Sequence, residues 1–240
     1  MTANPFALWV YLSRSPLLWL TVTLAVYALA DALSVRTRRH PLANPVLHAM
    51  WIIAAVLLLT GTPYTTYFAG AQFVHFLLGP ATVALAVPLY QNRKIVAQAI
   101  LPMLVALLAG SITAIVSVMW LAAAFGLPRE VVLSLAPKSV TAGVAMGISE
   151  SLHADPSLTA VAVVLTGIMG AIIVTPLMNR TGITDFRARG FAAGLAAHGI
   201  GTARAFQVDM LAGTFSGVAM SLNALITSFL VPLAVTLLLR

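Results

Sequence analysis

Long apolar runs divide this sequence and constrain its fold more than any other feature. A helix that crosses a bilayer needs about 20 mainly apolar residues. Soluble domains have about 45–50% apolar and about 25% charged residues, whereas this chain has 60% hydrophobic and 8% charged residues. The composition therefore predicts an all-α polytopic membrane protein with about six spanning helices. The candidate spans are 16–35, 45–60, 72–90, 95–125, 157–178 and 210–239.

Basic residues gather in the short gaps between these runs. A formal net charge of +7 would suggest a nucleic-acid partner for a soluble protein. Short basic gaps between apolar runs instead follow the positive-inside rule, so we expect a lipid bilayer and no nucleic acid. Three arginines follow the first run and one precedes it, which places the N-terminus outside. The cytoplasmic clusters are then Arg36, Arg38 and Arg39; Arg93 and Lys94; and Arg180, Arg187 and Arg189.

The N-terminal run has a second interpretation. Arg14, the apolar run 17–29 and the sequence Ala-Asp-Ala at 30–32 imitate a cleavable signal peptide. The basic cluster that follows at once would resist export, so it favours a membrane anchor. We therefore predict one integral membrane domain over 1–240, in which 1–44 form an N-terminal helix and a basic loop.

Two weaker segments, 131–150 and 189–208, are rich in Gly, Ala, Ser and Thr and do not look like lipid-facing helices. If 131–150 crossed the membrane completely, the basic cluster at 180–189 would lie outside; if it dips in and returns, that cluster lies inside. Irregular backbone at membrane depth is tolerated only where protein or a watery cavity surrounds it. We therefore predict two discontinuous or re-entrant helical segments of opposite sense, as an inverted repeat requires.

Each weak segment contains one cation, Lys138 in the first and Arg204 in the second. A charge at the centre of a spanning segment costs about 2.5–3.5 kcal/mol on insertion scales, so both residues are functional candidates. Pro137 interrupts the helix beside Lys138, and Ser139 and Thr141 offer hydroxyls. The pair predicts an intramembrane anion site, although Lys138 could instead extend to the outer interface.

Arg204 ends a glycine-broken run, and its guanidinium can hold a carboxylate through two hydrogen bonds. The alternative is an ion pair with Asp209 or Glu150 that neutralises a buried charge. These two acids are also candidates for a coupling proton if they are buried. The remaining substrate-binding candidates are His198, Gly199, Gly201 and Thr202 in this run, with Thr82 and Asn223 either facing the site or bonding across helices.

Catalytic and cofactor motifs are missing from the sequence. The chain has no cysteine, which excludes disulfides and thiolate metal sites. It has no HExxH spacing, GxSxG elbow, P-loop or dinucleotide fingerprint. We therefore expect no enzyme activity, no cofactor and no metal site.

Four stretches, 76–86, 134–141, 156–160 and 197–205, resemble the LrgB/CidB family. The resemblance covers roughly 45–240, while 142–147 depart from the family's usual continuation. It implies a bacterial inner-membrane protein, often encoded with a small holin-like LrgA/CidA partner, and related to the plastidal glycolate/glycerate translocator. It also places six candidates in the two most characteristic blocks of the family: Lys138, Ser139, His198, Gly201, Thr202 and Arg204.

Two functions follow as expectations from the charges and the resemblance. The first is a secondary carrier for small monocarboxylates such as glycolate, glycerate or pyruvate, in which the broken helices move in an elevator-like manner against a scaffold. The alternative is a holin-like or regulatory membrane component that modulates murein hydrolase export and cell lysis. The carrier predicts saturable uptake and the alternative predicts an unsaturable leak. A homodimer is expected because a monomer of this length offers a small scaffold.

Overall fold

Helices connected by short loops and turns form the structure, a computed structural model that describes residues 15–238 and only the backbone of Thr82. No strand occurs in this described range, which confirms the all-α prediction. Internal packing divides the chain into two units, Met1–Ala86 and Val87–Arg240.

The first unit contains α1 (Pro16–Arg36), α2 (Pro45–Thr60), α3 (Tyr64–Phe76) and α4 (Leu78–Ala84). The start of α2 is set by Asn44, whose side-chain oxygen accepts hydrogen bonds from the backbone N–H groups of Val46 and Leu47 at 2.9 and 3.2 Å. The end of α2 is set by Gly61, which adopts a left-handed conformation with φ of 61°.

Close contact between α1 and α3 forms the core of the first unit. Trp19 is fully buried, and its ring meets that of Tyr67 edge-on with the centroids 6.0 Å apart. A Cβ atom at Gly70 would overlap the backbone of Pro16, so only glycine allows this approach. The first helix is thus packed into the unit, as expected for an anchor.

The second unit contains the remaining helices. The predicted span 95–125 is divided by a turn at Ala99, and Pro102 lies in the first turn of the second helix, where proline is tolerated. The helices are α5 (Ala86–Gln91), α6 (Arg93–Gln98), α7 (Ile100–Ala124), α8 (Arg129–Leu135), α9 (Ala142–Ser151), α10 (Pro156–Arg180), α11 (Phe186–Val208) and α12 (Met210–Leu238).

Membrane spans agree with a multi-pass protein. Within the described residues, five helical stretches are long and apolar enough to cross a membrane. The sixth predicted span, Pro45–Thr60, has only 16 residues and falls short of the usual length of about 20. The five stretches are Pro16–Arg36, Tyr64–Gln91, Ile100–Ala124, Pro156–Arg180 and Met210–Leu238.

The scaffold of the second unit is formed by α7 and α12. Met103 near the start of α7 shares a buried cluster with Phe215 near the start of α12. Ile115, further along α7, shares another with Val231, further along α12. Because positions rise together along both helices, α7 and α12 run side by side in the same direction.

Candidate functional site

The helix α11 turns back on itself at Ala197 and His198, whose φ,ψ values of −131°, 18° and 40°, −133° are not helical. Ala193 before this break and Ala205 after it lie in one buried cluster with Ala212. In a straight helix Ala193 and Ala205 would lie about 18 Å apart, at about 1.5 Å per residue. The segment is therefore a helical hairpin with its tip at Ala197 and His198, which confirms the prediction of a discontinuous segment at 189–208.

The first arm of this hairpin packs tightly along α12. A Cβ atom at Gly190 would overlap the backbone of Ala212, and one at Gly194 would overlap the backbone of Ser216. Small residues four positions apart let two helices approach this closely. The small-residue spacing in this arm therefore serves packing within the chain.

The second arm returns along the same face of α12 in the opposite direction. The Thr202 and Ser216 hydroxyls lie 2.9 Å apart, and the next contact down the arm joins the Phe206 ring to Gly213. Positions on α12 thus rise along the first arm and fall along the second. The chain enters and leaves this hairpin at the same end, that of Met210 on α12.

His198 is held at the tip in a backbone conformation that favours glycine, with φ of 40°. Its side chain is buried, and Nε2 donates a hydrogen bond to the Val163 carbonyl of α10 at 2.9 Å. Its own carbonyl accepts one from the Thr202 hydroxyl at 2.8 Å. A Cβ atom at Gly167 would overlap the imidazole. Such strain persists only where surrounding contacts fix the conformation, and it is typical of functional sites.

The first hairpin consists of α8 and α9, with its tip between Leu135 and Ala142. The Thr159 hydroxyl of α10 donates to the Ser134 carbonyl of α8 at 2.9 Å and lies 2.6 Å from the Ser149 hydroxyl of α9. All three residues are fully buried. Because both arms contact the same residue of α10, they lie at the same depth, and this segment also enters and returns at one end.

The two hairpins enter the second unit from opposite ends. The first is connected to the start of α10 at Pro156, and the second follows the end of α10 at Arg180. A cavity of about 450 Å³ is lined by both Gln98 and Arg187, so the basic segments 93–94 and 180–189 lie at the same end. The positive-inside rule makes this the cytoplasmic end, as the re-entrant topology predicts.

Asn223 of α12 joins the two hairpins. Its Nδ2 donates to the Leu195 carbonyl beside the second tip at 2.9 Å and to the Ser139 carbonyl of the first tip at 3.3 Å. Its Oδ1 accepts from the Ser111 hydroxyl of α7 at 2.7 Å and from the Thr227 hydroxyl at 3.1 Å. These four bonds use the full capacity of an amide. Asn223 thus takes the predicted alternative of bonding across helices.

A cavity of about 470 Å³ lies where the tips meet, and Lys138 and Ser139 of the first tip line it. Its α10 wall extends from Leu165 to Gly170, near the middle of this 25-residue helix. Lys138 is therefore placed at mid-span rather than at the outer interface. The other lining residues are Gly110 and Ala114 of α7, Thr166 and Met169 of α10, and Leu195 and Ala196 beside the second tip.

Arg204 does not line the cavity of Lys138. It lines a separate space of about 20 Å³ at the base of the second hairpin, shared with Thr175, Arg189 and Gly190. The sequence predicted one anion site containing both cations. The structure places them in different cavities because the reversal at His198 returns the second arm, with Arg204, toward the cytoplasmic end.

The other residues predicted from the second block lie at or near its tip. Gly201 is required by packing, since a Cβ atom there would crowd the Ala193 carbonyl at 2.5 Å. Gly199 lies against the Met220 sulfur, where a Cβ atom would be 3.8 Å away. Thr202 is buried and bonded as described. Their contact with a substrate stays a prediction.

The remaining candidates are dispersed. Thr141 precedes α9 and is half-buried, and Thr82 belongs to α4 with its side chain outside the described part of the structure. Glu150 is exposed on α9, so the burial on which its proton-coupling role depended is missing. Asp209 is half-buried and caps α12, with Oδ1 accepting from the Leu211 and Ala212 N–H groups at 2.8 and 3.1 Å.

Comparison with known proteins places the chain in a family. The model of the LrgB-like family matches residues 23–237. The chain belongs to the LrgB-like family. It is similar to the holin-like protein CidB of Staphylococcus epidermidis, with 32% identity over 92% of this chain and 96% of the relative. CidB of Staphylococcus aureus strain Mu50 gives the same three values. The chain is also 36% identical to the uncharacterized protein YxaC of Bacillus subtilis over 82% of this chain and 86% of YxaC.

No solved structure matches the chain. The match to the LrgB-like family begins at residue 23, whereas the resemblance seen in the sequence began at about 45. The N-terminal helix α1 therefore lies largely within the family region. Together with the five apolar helices, membership of the LrgB-like family makes this a multi-pass bacterial membrane protein.

Proposed function

We propose that this chain is a holin-like, non-enzymatic membrane component that modulates murein hydrolase export and cell lysis. The supporting observation is the extent of its similarity to relatives named holin-like protein CidB, which covers 92% of this chain and 96% of theirs. The similarity thus extends over both units rather than over one motif. A small LrgA/CidA-like membrane protein is the proposed partner.

A paired expression experiment tests this proposal. The chain is produced in a bacterial host with and without an LrgA/CidA-like protein, and secreted murein hydrolase activity is measured by zymography beside the release of a cytoplasmic enzyme. A change in hydrolase activity that depends on the chain supports the proposal. Unchanged hydrolase activity and lysis in both strains would contradict it.

A second candidate is a carrier of small monocarboxylates, which is favoured by the meeting of two hairpin tips from opposite ends at the cavity of Lys138. Substrate sites of many transporters lie at mid-membrane between broken helices. Opening of one hairpin while the other stays closed would expose such a site to one side at a time. A cavity of about 470 Å³ is large enough for glycolate or pyruvate, with Lys138 supplying charge and Ser139 a hydroxyl.

Counterflow in proteoliposomes separates the two functions. Labelled glycolate and pyruvate are offered beside a neutral sugar, which reports leak. The matched variants are Lys138→Gln and Lys94→Gln, since Lys94 is exposed and its substitution removes the same charge outside the cavity. A carrier predicts saturable anion uptake that is weakened or lost only in Lys138→Gln. Equal entry of sugar and acid in all three proteins would contradict the carrier and favour a holin-like leak.

A further inference from the structure

The space that Arg204 lines is distinct in size and lining from the cavity of Lys138. Its walls come from α10 through Thr175, from the first arm of the second hairpin through Arg189 and Gly190, and from the second arm through Arg204. Its volume is about 20 Å³. A space of about 10–15 Å³ holds one water molecule, so this one has room for a single species of that order.

Two cationic side chains line this small space. Arg204 is 7% exposed, and Arg189 is half-buried. Arg189 donates to Asn179 Oδ1 at 2.6 Å and to the Thr175 carbonyl at 3.4 Å, and both of these acceptors are neutral. Two positive charges in a poorly solvated space repel each other strongly, so a negative charge between them would stabilise the fold.

The six acidic residues of the chain do not supply that charge, since none of them lines the space. Asp185, the nearest in sequence to Arg189, is held by Arg187, whose Nε and Nη2 donate to its carboxylate at 2.6–3.0 Å. That side-chain hydrogen bond lowers the pKa of Asp185. Asp209, the nearest to Arg204, caps α12. The charge must therefore come from outside the chain.

We propose that Arg189 and Arg204 form a binding site for a monatomic halide, such as chloride, at the base of the second hairpin. A space of about 20 Å³ admits such an ion and excludes a carboxylate substrate of several heavy atoms. Because Arg189 belongs to the first arm and Arg204 to the second, the bound ion holds the two arms together. This site is independent of both proposed functions.

The test measures thermal unfolding of the purified full chain in lipid nanodiscs while sodium chloride or bromide replaces sodium gluconate. Ionic strength is kept constant so that general screening does not change. The wild type should show a rise in Tm that saturates with halide, as expected for a ligand that binds the folded state. The same rise is expected in Arg187→Gln, a matched control because Arg187 is exposed and lies two residues from Arg189.

Arg189→Gln and Arg204→Gln should each lose the halide-dependent rise. If Arg204→Gln fails to fold, Arg189→Gln decides, because Arg189 is only half-buried. Equal Tm values in chloride and gluconate for the wild type would overturn the site, as would an undiminished halide response in Arg189→Gln. Since the readout is Tm, its failure is distinct from a failure of transport or of hydrolase release.

Discussion

Replacement of Asn223 by alanine would remove the side chain that joins both hairpin tips to α7. Three of its four hydrogen bonds cross between elements: those to the Ser139 and Leu195 carbonyls and that from the Ser111 hydroxyl. Interhelical hydrogen bonds in membrane proteins contribute about 0.6 kcal/mol on average and about 1.7 at most. The three together therefore predict a loss of about 2 kcal/mol, and the buried carbonyls left without this donor increase it toward about 4 kcal/mol.

The matched control is Ser221→Ala on the same helix. Ser221 is exposed, and its hydroxyl bonds only to the Gly217 carbonyl within α12, so a change within about 0.5 kcal/mol is expected. Both variants are unfolded reversibly in mixed micelles, with helicity followed by circular dichroism. The reasoning is refuted if Asn223→Ala is as stable as Ser221→Ala.

Three further predictions follow from close contacts. Gly190→Ala should destabilise the fold by about 1–3 kcal/mol because its Cβ would overlap the α12 backbone, whereas Gly143→Ala, which meets open space, should be neutral or slightly stabilising in thermal unfolding. His198→Gly should lose less stability than His198→Ala, because both lose the bond to Val163 but glycine relieves the positive φ; equal Tm values would exclude strain. Thr159→Val should cost about 1–2 kcal/mol through its buried bonds, while Thr113→Val on the exposed face of α7 should leave the unfolding midpoint unchanged.

The breaks in the two hairpins could be predicted from the sequence. Glycine, proline and small hydroxyl residues beside a lone cation mark backbone that is not a lipid-facing helix. This signal was sufficient for both segments, and the basic clusters gave their orientation. The predicted re-entrant topology agrees with the packing of Ser134 and Ser149 against Thr159 and of both α11 arms against α12.

The composition of the site could not be predicted in the same way. Whether Lys138 and Arg204 share a cavity depends on where the second hairpin reverses, and the reversal occurs at His198 rather than at one of the neighbouring glycines. The hydroxyl contacts that hold the first hairpin also lack a sequence signal. Ser134, Ser149 and Thr159 are ordinary residues of apolar helices, and only the stretch 156–160 carried a family resemblance.

Cross-linking of the two hairpin tips tests the central claim most directly. The natural chain contains no cysteine, so an introduced pair provides the only thiols. Ser139→Cys and Ala196→Cys both line the cavity at the tips, whereas Val208→Cys lies at the exposed base of the second hairpin. In native membranes, a short bifunctional thiol reagent should join the 139/196 pair and leave the 139/208 pair unjoined. Failure to join 139 with 196, or efficient joining of 139 with 208, would contradict the meeting of the tips.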